Sequence, residues 1–255
     1  SILKIMINLD FQTIIIMIIA FALGGLVKGA TGAGSPIIAI PVLTIFFDAK
    51  LAVAVMAIPN LFSNLIQIKQ FRQSVEDLKF SLKLSAFGAL GCLGGATFFI
   101  LTSTRIIELL VAVVTVLYVL MSFSKNSKKL SQRIAKRLAP PIGLLGGFVQ
   151  GTCGVSAPIA LAFLNAIGMK RAEFIFTISC FFGAMAAIQI ISLYIFNFMT
   201  WQLFSLGLLS LAPIFLGMPL GDRLTKKISS QSFEKLILVF LIFLSLQIFL
   251  KPYLM

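Results

Sequence analysis

A lysine among glycines, inside an apolar run, is the first place in this sequence where chemistry is possible. Gly24 to Pro36 reads GGLVKGATGAGSP and Gly146 to Pro158 reads GGFVQGTCGVSAP, so one phrase occurs twice, with Lys28 in the first copy and Gln150 in the second. An ionisable side chain held inside an apolar segment is costly and by default marks a function. The competing reading is that Lys28 snorkels from a helix end to the surface. Gly29, Gly32, Gly34, Gly151 and Gly154 interrupt the helical pattern, and irregular backbone at membrane depth is tolerated only where protein buries it or it lines a cavity. Pro36 and Pro158 open the next apolar segment, which suits a first helical turn, where a missing N–H costs little. Such a start presents free N–H groups and the positive end of the helix dipole, together an anion site. Thr31, Ser35, Thr152, Cys153 and Ser156 add hydroxyl and thiol groups beside these glycines. A nucleotide phosphate loop is not the reading, because no lysine precedes a Ser or Thr here and no strand leads in.

The elements that must position these residues are read from composition. The chain has 255 residues, 59% hydrophobic and 11% charged, with a mean hydropathy of +1.07. Apolar runs of roughly 17–25 residues cross a bilayer as helices, and the alternation of a lipid-facing barrel is absent, so an all-α integral membrane protein is expected. The N-terminal stretch has no small-residue cleavage site and is read as mature structure. There is no histidine, and Cys92, Cys153 and Cys180 lack the paired spacing of a metal knuckle, so neither metal nor cofactor is expected. A net charge of +13 suggests nucleic acid in a soluble protein. Here the basic residues fall in short loops and act as topology signals instead, so nucleic acid is not an expected partner.

Apolar segments fall near 11–27, 36–47, 51–68, 78–101 and 105–123, then near 141–150, 158–167, 172–195, 203–221 and 233–250. This divides the chain into a first transmembrane repeat at 1–123, a basic linker at 124–139 and a second repeat at 140–255. At an offset of 122, Gly25/Gly147, Val27/Val149, Gly29/Gly151, Gly32/Gly154 and Pro36/Pro158 coincide; at 126, Gly91/Gly217, Gly95/Gly221 and Glu108/Glu234 coincide. Self-similarity of this kind marks an internal structural repeat. The Gly91/Gly95 and Gly217/Gly221 pairs read as close helix packing.

Loop charge sets the orientation. The linker, with Lys125, Lys128, Lys129, Arg133, Lys136 and Arg137, is assigned to the cytoplasm, together with the 69–83 connection, Lys170, Arg171, Arg223, Lys226, Lys227 and Lys235. That accounts for 16 of the 21 basic residues, leaving Lys4, Lys50, Arg105 and Lys251 outside and Lys28 within the membrane. The uncharged counterpart of the 69–83 loop, around 195–202, carries Trp201 and suits the outer face. The halves are therefore expected to be inverted-topology repeats, each a broken, re-entrant helix pair plus three spans, with Lys50 and Lys170 on opposite faces. In the second half both arms of the re-entrant pair are read as about ten residues, roughly 15 Å of helix. A conventional eight-span arrangement is the alternative.

A polar stripe at Asn60, Ser63, Asn64 and Gln67 follows on the third segment, with Ser179 and Gln189 as weaker equivalents. Asn60 and Asn64 are placed on the substrate path, although hydrogen bonding across helices explains such residues too. All eight carboxylates lie near span ends. With no histidine or intramembrane carboxylate to activate a nucleophile, the chain is not read as an enzyme.

The paired phrases GGLVKGATGAGSPIIAIPVL and GGFVQGTCGVSAPIALAFL, joined by a basic linker, resemble the sulfite exporter family of the TauE/SafE type from about Phe11 to Leu250. The resemblance implies a multi-pass inner- or plasma-membrane carrier exporting sulfite or organosulfonates such as sulfoacetate. Its expected partners are that small anion and membrane lipid, and homo-oligomer formation is compatible with the sequence. A carrier of another small anion is a near variant. A non-transporting scaffold or partner subunit, whose basic linker binds anionic lipid or protein, is the alternative of a different class.

Overall fold

The computed structural model of the chain describes residues 11–32, 34–123, 129–227 and 230–254. Lys4, Ala33, Lys125 and Lys128 lie outside the described residues, as do the side chains of Lys226, Lys227, Glu234 and Lys235. Among the described residues every regular element is helical: α1 (Phe11–Thr31), α2 (Ser35–Phe46), α3 (Ala49–Phe71), α4 (Leu78–Leu101), α5 (Thr104–Phe123), α6 (Gln132–Cys153), α7 (Ala157–Ile167), α8 (Arg171–Ile195), α9 (Trp201–Leu209), α10 (Leu211–Lys227) and α11 (Ser230–Leu254). A 3-10 turn at Arg72–Ser74 links α3 to α4. Six helical stretches are long and apolar enough to cross a membrane: α1, α3 with its 3-10 turn, α4, α5, α8, and α9 with α10 taken together. The protein is a multi-pass, all-α membrane protein.

The short helices α2 and α7, of 12 and 11 residues, reach about 16–18 Å, half a hydrocarbon core. Their partners in each broken pair are longer than expected. Helix α1 continues through Lys28 to Thr31, and α6 runs from Gln132 to Cys153, 22 residues instead of the ten read at 141–150. The Pro140–Pro141 pair does not end α6. Pro140 has no N–H for the carbonyl of Lys136, four residues earlier, and Lys83 Nζ of α4 donates to that carbonyl at 3.1 Å instead. Residues 132–139, expected in the linker, are thus the first turns of α6.

The glycines in the helical part of each phrase let backbones touch. Gly25 and Gly29 of α1 face Ile214 and Met218 of α10, while Gly217 and Gly221 of α10 face Ala22 and Leu26 of α1. Gly147 and Gly151 of α6 face Gly88 and Cys92 of α4, while Gly91 and Gly95 of α4 face Leu144 and Phe148 of α6. Each contact of the first seam maps onto one of the second by the offsets of 122 and 126. Both seams join helices from different halves. Between them α3 and α8 pack antiparallel, with Gln67 bonded to Ser179 and Asn64 facing Gly183.

Polar groups gather at the two ends of the bundle. At the linker end Lys136 pairs with Asp77 at 2.8 Å, Lys170 with Glu76 at 2.7 Å, and Leu130 N donates to Ala166 O at 2.7 Å. The Lys136 ammonium and the Phe80 N–H hold the Asp77 carboxyl below its ordinary range, and Glu76 holds the Lys170 ammonium above its own. At the far end Lys251 Nζ donates to Thr44 O at 2.7 Å, Phe47 O at 2.8 Å and Glu108 Oε1 at 2.9 Å. Arg105 pairs with Glu108 and donates to the carbonyls of Ile248 and Phe249. Lys50 Nζ, at the start of α3, donates to Ile100 O near the last turn of α4. Lys50 and Lys170 therefore lie at opposite ends of α4, a 24-residue helix about 36 Å long.

The seams and the end clusters respond differently to substitution. Gly147→Val sets a branched side chain against the Gly88 carbonyl and the Cys92 N–H and lowers stability by about 1–3 kcal/mol, whereas Gly94→Ala, with only Phe148 within reach, raises it slightly, by up to about 1 kcal/mol. Thermal unfolding in detergent separates the two. Glu108→Gln leaves Lys251 and Arg105 without their counter-charge and costs about 2 kcal/mol. That is less than for a fully enclosed pair, because the Arg105 side chain is 37% exposed. The same melting assay reads the loss.

Candidate functional site

The breaks themselves occupy three residues each. Gly32 N donates to Lys28 O and Gly154 N to Gln150 O, each at 2.8 Å, so both first arms end in the same bond. The chain then turns through left-handed backbone, with φ of 100° at Gly34 and 73° at Gly154, where a side chain is strained. Pro36 and Pro158 follow in the first turns of α2 and α7. Neither helix start receives a side-chain cap. Both present the positive end of a dipole, although Pro36 and Pro158 carry no N–H and the Ile37 N–H already bonds Gly34 O at 3.1 Å.

The two starts meet. Gly34 and Pro36 of the first phrase and Gln150, Val155, Ser156 and Ala157 of the second line one small, partly open cavity of about 10 Å³, bounded on a further side by Phe182 of α8. That volume holds about one water-sized probe. Ser156 Oγ donates to Gln150 Oε1 at 3.0 Å, and Gln189 Nε2 donates to the Gln150 and Gly151 carbonyls at 3.2 and 3.5 Å. Among the described residues Ser35 Oγ, Thr44 Oγ1, Asn60 Nδ2 and Gln189 Oε1 are buried without a hydrogen-bond partner. Unpaired polar atoms are rare in protein interiors, and Ser35 stands at the first break while Gln189 reaches the second.

Lys28 is completely buried, which excludes snorkelling. Its ammonium donates to Asn64 Oδ1 at 2.8 Å, and the Asn64 amide is held by Asn60 O and Oδ1 at 2.7 and 2.9 Å. Among the described residues no carboxylate pairs with it. Lys28 is not in the wall of the small cavity; it stands one helical turn before Gly32, pointed at α3, whereas Gln150, its equivalent, lines that wall.

A second, open space of about 590 Å³ enters from the linker end. Gly29, Gly32 and Gln67 line its inner part, with Arg171, Met218 and Asp222 among its other walls.

The remaining expected residues divide. Cys153 is buried, with its thiol on the carbonyls of Val149 and Val155. Thr152 Oγ1 bonds Phe148 O and faces Gly95 O, turning toward the seam with α4. Gly151 serves the same seam, and Gly29 serves both its own seam and the vestibule. Thr31 is exposed and bonds back to Val27 O. Phe182, Arg171 and Asp222 join the site without a signal in the sequence. Nothing in an apolar helix singles out one phenylalanine, while Arg171 and Asp222 read as loop charge. Gln189, a weak equivalent by sequence, holds the carbonyls at the second break.

A helical membrane bundle whose two broken helices meet at one small cavity, with a separate open space at one end, has the design of a membrane transport protein. The sequence model of the sulfite exporter TauE/SafE family matches residues 16–248, and the chain belongs to that family. Membership makes it a membrane transporter of sulfite or related anions, in a family of transporters rather than enzymes. Comparison with curated proteins and with solved structures gave no match.

Asn64→Leu removes the one side-chain partner of the buried ammonium and destabilises the protein by about 1–3 kcal/mol. The double variant Lys28→Met/Asn64→Leu replaces both groups by apolar ones and regains most of that loss; a double-mutant cycle in thermal unfolding measures both.

Proposed function

We propose that the protein is a secondary carrier that exports small sulfur oxyanions, sulfite or organosulfonates such as sulfoacetate, through the cell membrane. The observation that carries this reading is the convergence of two uncapped helix starts, α2 and α7, on one small cavity with a buried lysine a turn away. Backbone dipoles and free N–H groups hold an anion without a counter-ion of their own, the arrangement that discontinuous helices use in transporters. Lys28 supplies the full charge, Asn64 orients it, and Ser35, Gln150 and Ser156 offer polar groups to the oxygens of the substrate.

The two halves act as inverted copies. Antiparallel α3 and α8, the opposite placement of Lys50 and Lys170, and the paired glycine seams support this. With the basic linker on the cytoplasmic side, the vestibule opens to the cytoplasm, the side from which an exporter loads. Rocking the α2 and α7 breaks past each other then exchanges access between the two ends.

Counterflow of labelled sulfite in proteoliposomes tests the reading: exchange is saturable, and Lys28→Gln, the residue of the second half, lowers its rate at least about tenfold. Normal exchange by Lys28→Gln removes that lysine from the site. No flux with sulfite, thiosulfate or sulfoacetate returns the chain to the scaffold reading.

A further inference from the structure

We propose that the vestibule at the linker end contains a second anion site, built from the Arg171 guanidinium and the Gln67 amide, where a sulfite or sulfonate group docks before passing to Lys28. The proposal rests on the carrier reading above and adds a loading station to it.

Arg171 opens α8 and lines the vestibule together with Ala172. Its side chain makes one hydrogen bond, from Nη2 to Ala30 O at 3.5 Å, and among the described residues no ion pair. A guanidinium carries five N–H donors in a rigid fork, so most of this one is open to the vestibule. The fork matches two oxygens of a planar or pyramidal oxyanion, which a lysine in the same place does not. The start of α8 lacks a side-chain cap, so its first N–H groups reinforce the same wall.

Gln67 is the second, independent observation. It is 4% exposed and lines the inner vestibule from α3. Ser179 Oγ donates to its Oε1 at 3.0 Å, which fixes the carbonyl side of the amide and leaves the NH₂ donors for a ligand. That nitrogen is not sealed within the protein but opens on the vestibule, where an oxyanion can accept from it. Gln67 also stands three residues from Asn64 on one helix face, and Asn64 holds the Lys28 ammonium. Donors therefore form a path from the mouth inward: Arg171, Gln67, then Lys28 on Asn64.

Two carboxylates bear on this path. Asp222 faces the vestibule from α10 and is already engaged by another group. Glu173 is buried in the first turn of α8 and is not part of the vestibule wall. Neither pairs with Arg171, and Glu76 at the same end is paired with Lys170.

Sulfite exchange by the full-length protein in oriented proteoliposomes, with substrate offered at the linker face, tests the station. Arg171→Gln is expected to raise KM about tenfold with kcat within about twofold, because removing a docking interaction that precedes translocation weakens binding without slowing the later step. Arg171→Lys, which keeps the charge but not the fork, falls between Gln and the wild type. Gln67→Leu gives a smaller rise in KM. A second readout uses Lys28→Gln protein in detergent: sulfite still raises its melting temperature at millimolar concentration, and adding Arg171→Gln abolishes that shift. An unchanged KM in Arg171→Gln, or a sulfite shift that survives in the double variant, overturns the station while the carrier reading stands. Absence of saturable sulfite exchange by the wild type overturns the carrier reading and the station with it.

Discussion

A backbone N–H at membrane depth has no water to bond, so a helix that starts inside the bilayer must have its first turn enclosed by protein or met by a ligand. Helices α2 and α7 both start this way, without side-chain caps, and their starts share one small cavity. Most of the remaining architecture encloses these two points. Phe182 bounds the cavity from α8, Gln189 crosses from the same helix to hold the carbonyls at the second break, and α3 brings Asn64 to the one charge nearby. Single-turn breaks suffice because each first arm stays helical up to the glycine that turns the chain.

Holding the breaks in place needs helices that cannot slide, and lipid gives no hydrophobic drive for apolar helices to associate. The two glycine seams answer this with backbone packing. In each, four small positions bring neighbouring helices so close that a methyl group has no room against the opposing carbonyl. Because α1 packs on α10 and α6 on α4, each first arm is braced by the opposite half.

How much of this is legible in the sequence differs by residue. The membrane class, the two half-helices and the packing role of Gly91, Gly95, Gly217 and Gly221 follow from composition and repeated spacing. The length of α6 does not, since Arg133, Lys136 and Arg137 followed by two prolines read as a loop. A long-range donor from Lys83 serves the carbonyl that Pro140 leaves free. Lys28 is legible by type but not by direction: the phrase says that a charge lies near the break, and only the packing of α3 against α1 turns it toward Asn64. Glycines in one phrase also carry different duties that spacing does not separate. Gly32, Gly34 and Gly154 adopt left-handed backbone, while Gly25, Gly147 and Gly151 remain in helices and admit a neighbour.

The ends of the two half-helices are tied by different bonds, and this gives the molecule a direction. The last turns of α2 and α7 present equivalent carbonyls, Thr44 O and Ala166 O, 122 residues apart. Thr44 O accepts from the Lys251 ammonium, which also holds Phe47 O and Glu108, so opening the far end must part several charge-assisted bonds at once. Ala166 O accepts one neutral N–H from Leu130, flanked by the solvent-facing Lys170–Glu76 pair. Charge-assisted bonds in partly buried surroundings are about twice as strong as neutral ones, and exposed ion pairs contribute little. Among the described residues the far end is therefore the more firmly tied of the two, and the vestibule lies at the other.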